Sequence, residues 1–159
     1  MLPWDKHDLT EYFAWLRETH PRYMVILQCY KQVMEQGADS AIEKIGRYGS
    51  MIDYVLFDAS HGTGQRLDVE SLREFVAAGY ESPDLKRVNF GVAGGLDAET
   101  VPQLAPLVDE FPELSWDAEG RLRGEKHVSR FGGNVIWPLD LDKTKRYIAA
   151  STHLLGNRP

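Results

Sequence analysis

Asp58 and the residues after it, Ala59-Ser60-His61-Gly62-Thr63-Gly64, bring a carboxylate, two hydroxyls, an imidazole and two glycines into one short stretch. The apolar run Tyr54-Val55-Leu56-Phe57 precedes them, so the carboxylate falls at the carboxyl end of a buried strand. That is where α/β folds gather their chemistry. A carboxyl group there can act as a general acid. It can also cap its own turn; the hydroxyls and glycines that follow favour chemistry. Gly62, Thr63 and Gly64 can aim N–H groups and a hydroxyl at an anion, or form a plain loop. Gly94-Gly95 closes a second apolar run and precedes a helix signal at Asp97, an arrangement that suits phosphate, although the charge of Asp97 counts against an anion. Gly120 offers a loop amide, and Arg121 or Arg123 a bidentate grip; the bland alternative is a solvated charged turn. The expected site therefore has Asp58 as acid. Ser60, Gly62, Thr63, Gly64, Gly94, Gly95, Gly120 and Arg121 hold a phosphorylated ligand. His61 reads as an exposed loop residue, with a proton-carrying role as the alternative. Cys29 reads as core, and the four tryptophans, Trp4, Trp15, Trp116 and Trp137, as packing residues. No His, Cys or carboxylate group shows metal-ligand spacing.

The elements that must position these residues alternate. Asp8 and Glu11 form a capping box ahead of a helix over 9–19. A continuously apolar strand over 23–28 reads as buried on both faces. A helix begins near Lys31, breaks near Gly37 and resumes from Ser40 to Gly46. A strand over 53–58 leads to a helix over 68–78, ended by Gly79. A third strand covers 88–93. The next helix starts at the N-cap Asp97 and runs to about Glu110, with Pro102 and Pro106 able to split it. Residues 113–117 form a fourth strand, 121–137 are irregular, and Asp140 or Asp142 caps a last helix to about Leu155. Strands alternating with helices predict an α/β fold with a parallel sheet. Four strands make half of a (β/α)8 barrel, which needs eight. Residues 1–159 read as a single barrel-type domain.

The bulk properties narrow the function. A net charge of −6 argues against nucleic acid or an anionic membrane as the main partner. One cysteine allows no internal disulfide, and the N-terminus resembles no targeting signal, so a cytoplasmic location is expected. No apolar run approaches the length of a membrane span.

Over residues 22–123 the chain resembles the C-terminal half of phosphoribosylanthranilate isomerase, a TIM-barrel family of tryptophan biosynthesis. Leu56-Phe57-Asp58-Ala59-Ser60-His61-Gly62-Thr63-Gly64, then Arg66-Leu67-Asp68, is similar to the family's strand-six signature. Ala93-Gly94-Gly95-Leu96-Asp97-Ala98-Glu99-Thr100-Val101 is similar to its strand-seven signature, with Ala98 for proline and Thr100 for asparagine. Asp117-Ala118-Glu119-Gly120 keeps the Asp and Gly of the strand-eight turn and loses both serines. The resemblance implies ring opening of a phosphoribosylamine and an Amadori rearrangement. Asp58 is the implied acid, with substrate phosphate at Gly94, Gly95 and Gly120, and no cofactor or metal is implied. The family's base, a strand-one cysteine in a K-I-C-G motif, has no match here; Cys29 falls at strand five. The chain is accordingly expected to start near the fourth helix of a barrel. Its open strand edges, both read as apolar, are expected to pair with a second copy or to leave the isolated chain poorly stable. Two alternatives stand beside this reading: another phosphosugar barrel isomerase or epimerase, and a non-catalytic phosphate-binding fragment.

Overall fold

A computed structural model describes residues 4, 6–58, 68–125, 127–128 and 135–156. The strands β1 (Ile26–Tyr30), β2 (Tyr54–Asp58), β3 (Asn89–Ala93) and β4 (Ser115–Asp117) form one parallel sheet in that order. Each strand is followed by helix: α2 (Lys31–Met34) and α3 (Ala38–Gly46) after β1, α4 (Val69–Glu81) after β2, α5 (Ala105–Glu110) after β3, and α6 (Leu141–Gly156) after β4. The helix α1 (Thr10–Thr19) precedes β1. Sequential parallel neighbours joined by helical crossovers are the arrangement of half a (β/α)8 barrel.

Local sequence sets the breaks. Gly37 adopts φ 89°, a conformation that L-side chains avoid, and separates α2 from α3. The Asp68 carboxylate accepts the Ser71 amide at 3.1 Å and starts α4. Asp8 caps α1 differently from the predicted box, taking the amide and the hydroxyl of Thr10 at 2.9 and 2.6 Å. The Asp140 carboxylate accepts the amides of Asp142 and Lys143, both at 3.0 Å, and starts α6.

The core lies between the sheet and its helices. Leu27 and Cys29 from β1, Val55 and Phe57 from β2, and Phe90 and Val92 from β3 are all buried. The Phe57 and Phe90 rings stack, with centroids 6.1 Å apart. Period-two alternation sends Ile26, Gln28, Tyr54, Leu56 and Asp58 to the other face.

Five expectations are corrected. The first strand is buried on one face only, and Ile26 is 61% exposed; β1 is an edge strand whose second face has no covering layer among the described residues. Gly79 lies inside α4 rather than ending it. A Cβ there would sit 2.6 Å from the Phe90 ring, so the glycine exists to let helix and strand approach. Trp15 and Trp137 are half exposed; only Trp4 is a core residue, and Trp116 packs partly against α6. The far edge is not apolar either, since Ser115 and Asp117 are exposed. The helix predicted from Asp97 is split as its prolines allow, into a 3-10 turn at Val101–Leu104 and α5. The segment predicted as irregular holds a 3-10 turn at Gly120–Leu122 and a small antiparallel pair, His127–Val128 with Val135–Ile136.

Candidate functional site

Register gathers the strand ends at one level. Tyr30 pairs with Asp58, Asp58 with Ala93, and Ala93 with Asp117. The predicted acid thus stands on the same carboxyl edge as the two loops predicted to hold phosphate. Asp58 is half-buried, and its Oδ2 accepts a hydrogen bond from Gln28 Nε2 at 2.9 Å. The main-chain carbonyl of Gln28 accepts from Trp4 Nε1 at 2.7 Å. Gln28 therefore orients the carboxylate, a role that inspection of the apolar run alone missed. The signal was there: in a strand of period two, a glutamine among apolar residues marks the face opposite the core.

Past β3 the chain turns on two consecutive glycines with φ of 112° and 66°, Gly94 and Gly95. Only glycine takes both conformations without strain. The turn is braced from within. Asp97 Oδ1 accepts the amides of Glu99 and Thr100, each at 2.9 Å. The Thr100 hydroxyl accepts the Asp97 amide and donates to the Gly95 carbonyl, again at 2.9 Å each. Past β4, the Gly120–Leu122 turn carries Arg121 back toward this loop, where its guanidinium donates to Asp97 Oδ2 at 2.8 Å. Partial burial alone would raise the Asp97 carboxyl. The bonds from Arg121, Thr100 and Glu99 outweigh it and hold the group below the ordinary carboxylate value. The charge that counted against an anion in the sequence is thus matched by Arg121.

The structure joins the turn of Gly120 and Arg121 to the loop of Gly94 and Gly95 through the Arg121–Asp97 pair, and sets Asp58 at the same edge on the strand next to β3. Ser60, Gly62, Thr63 and Gly64 lie outside the described residues, as does His61. Cys29 is fully buried on the helix side of β1 and takes no place at this edge. No helix among the described residues is long and apolar enough to cross a membrane.

The arrangement suits a substrate with a phosphate at the β3 and β4 loops and a protonatable oxygen near β2. One comparison with known proteins bears on the type. The family model of N-(5'-phosphoribosyl)anthranilate (PRA) isomerase matches residues 21–112, more than half of the chain. No curated protein and no solved structure matches. The chain belongs to the phosphoribosylanthranilate isomerase family, with a function of that type in tryptophan biosynthesis.

Proposed function

We propose, with that family as premise, that Asp58 is the general acid of an Amadori rearrangement and that the β3 and β4 loops hold the substrate phosphate. The observation that supports it is the common register level of Asp58, Ala93 and Asp117, on three successive strands of the sheet. Protonation of the ribose ring oxygen by Asp58 opens the ring and leaves an iminium at C1 and an Asp58 carboxylate; transfer of the C2 proton to water or to a second base then gives the enol, which tautomerises to the 1-deoxyketose. Placement of the acid supplies most of the effect of such a group, about 10²–10⁴-fold in rate. The buried Cys29 is not the base. Gly94, Gly95, Gly120 and Arg121 take the phosphate, with Ser60, Gly62, Thr63 and Gly64 assigned to the same ligand from the loop after Asp58. Phosphoribosylanthranilate is fluorescent, so its disappearance on addition of the chain is the direct assay. Steady loss of fluorescence that scales with protein supports the reading; a folded chain with no turnover contradicts it.

The whole chain acts as one domain in this reading, and copies of it associate. The segment leading into β1, with its first residue, presents Tyr23, Met24 and Ile26, each at least 61% exposed. An unpaired sheet edge with an apolar flank, as at β1, favours pairing, and a second copy is the partner proposed. Sedimentation is expected to show a dimer or larger species at micromolar concentration. A stable monomer there removes this part of the proposal.

A further inference from the structure

Trp4 serves the core and the sheet edge together. Among the described residues β1 pairs on one side only, with β2. In a parallel ladder the residues of a strand turn their N–H and C=O groups alternately to its two sides. The Val25 carbonyl accepts the amides of Asp53 and Tyr54 at 2.9 and 3.2 Å, so the odd-numbered residues face β2. Ile26, Gln28 and Tyr30 therefore direct their main-chain groups to the open side. In the middle of that row the Gln28 carbonyl is occupied, because it accepts Trp4 Nε1 at 2.7 Å.

The contact is firmly seated. Trp4 is 4% exposed, and its ring meets those of Tyr30 and Tyr48 edge-on, with centroids 6.4 Å apart in each pair. Tyr48 also fastens the segment that follows Trp4: its hydroxyl donates to the His7 carbonyl and accepts the Leu9 amide, both at 3.3 Å. An indole N–H donates and offers no acceptor in return, so it satisfies the carbonyl without extending the ladder. A strand adding to β1 needs that carbonyl and the space beside it. Trp4 holds both. Ile26, two residues before the latched carbonyl, keeps its side chain exposed as an apolar flank.

We infer that Trp4 is a latch on the β1 edge: a second copy of this chain adds a strand there only after the indole leaves the Gln28 carbonyl. The inference rests on the reading above that copies associate, and it adds what limits that association. The measured dimer Kd is then the intrinsic one divided by the fraction of chains with the latch open.

The test follows self-association of the full chain by sedimentation. Trp4→Phe keeps an aromatic ring in the core and removes the N–H. Its dimer Kd is expected to fall about three- to tenfold, the equivalent of one hydrogen bond. Trp4→Leu, also without a donor, is expected to move the same way. Ile26→Pro removes an amide from the open side and leaves the ladder to β2 intact. Added to Trp4→Phe, it is expected to return the Kd at least to the parent value. Thermal unfolding checks that each variant folds. Equal Kd in the parent and in the two Trp4 variants overturns the latch. So does a double variant that associates as tightly as Trp4→Phe, which would place the contact elsewhere, and so does the absence of association in every protein. A monomeric parent beside a dimeric Trp4→Phe removes the association reading for the parent and leaves the latch standing.

Discussion

Along β2, Val55 and Phe57 are sealed beneath the helices, while Tyr54, Leu56 and Asp58 stay partly open on the opposite face. The same split is seen in β1, whereas β3 is buried on both faces after Asn89. On the helix side, side chains from three strands interlock with α3 and α4 around the stacked rings of Phe57 and Phe90. On the other side, Ile26, Asn89 and Ser115 are exposed. One face therefore carries the stability. The carboxyl edge of the other carries the charged and glycine-rich groups that chemistry needs. Separating the two lets the edge hold an Asp–Arg pair without placing charge in the core.

Neighbouring residues of β2 give the sharpest way to break this contrast. Phe57→Ala removes a fully buried ring and is expected to cost about 3–5 kcal/mol in denaturant unfolding. Leu56→Ala, on the open face, is expected to cost about 1 kcal/mol. Equal costs would mean that the open face is as much a core as the helix side.

Gly79→Ala probes the same core from the helix. Alanine is worth about 1 kcal/mol over glycine in a helix interior, but the added Cβ meets the Phe90 ring at 2.6 Å. Overpacking of that kind costs about 1–3 kcal/mol, so the expected net effect is a lower melting temperature. A raised melting temperature would show that the helix and β3 have room to spare.

At the functional edge, Asp97→Asn is expected to cost about 1 kcal/mol, because the carboxylate braces its own turn and pairs with Arg121. Its carboxyl lies below the ordinary carboxylate value in the folded chain. The stabilisation is therefore fully present above about pH 4 and is lost as pH falls through the lowered value. The difference in stability between parent and variant is expected to shrink in that acid range. A gap that stays constant down to pH 2 would show that the charge of Asp97 contributes nothing.

Much of this was legible in the residues. Short apolar runs ending in Asp58 and in Gly94-Gly95 named three facts at once: the strands, their direction and the edge where they stop. What escaped has physical reasons. Tyr23 and Met24 are apolar but exposed, so hydrophobicity alone placed the first strand three residues early. Gly79 carries a helix-ending residue type, yet what selects it is a ring from a distant strand. The strands at 127–128 and 135–136 are too short for a period to show. The pairing of Arg121 with Asp97 spans 24 residues.

The claim that fold and chemistry occupy opposite faces of one sheet is tested most directly by Asp58→Asn. Turnover of freshly prepared phosphoribosylanthranilate and thermal unfolding should be measured on the same samples. The account predicts turnover by the parent chain, a fall of at least about 10²-fold in the variant, and stability unchanged to within about 0.5 kcal/mol. A variant that keeps the parent's rate would contradict it.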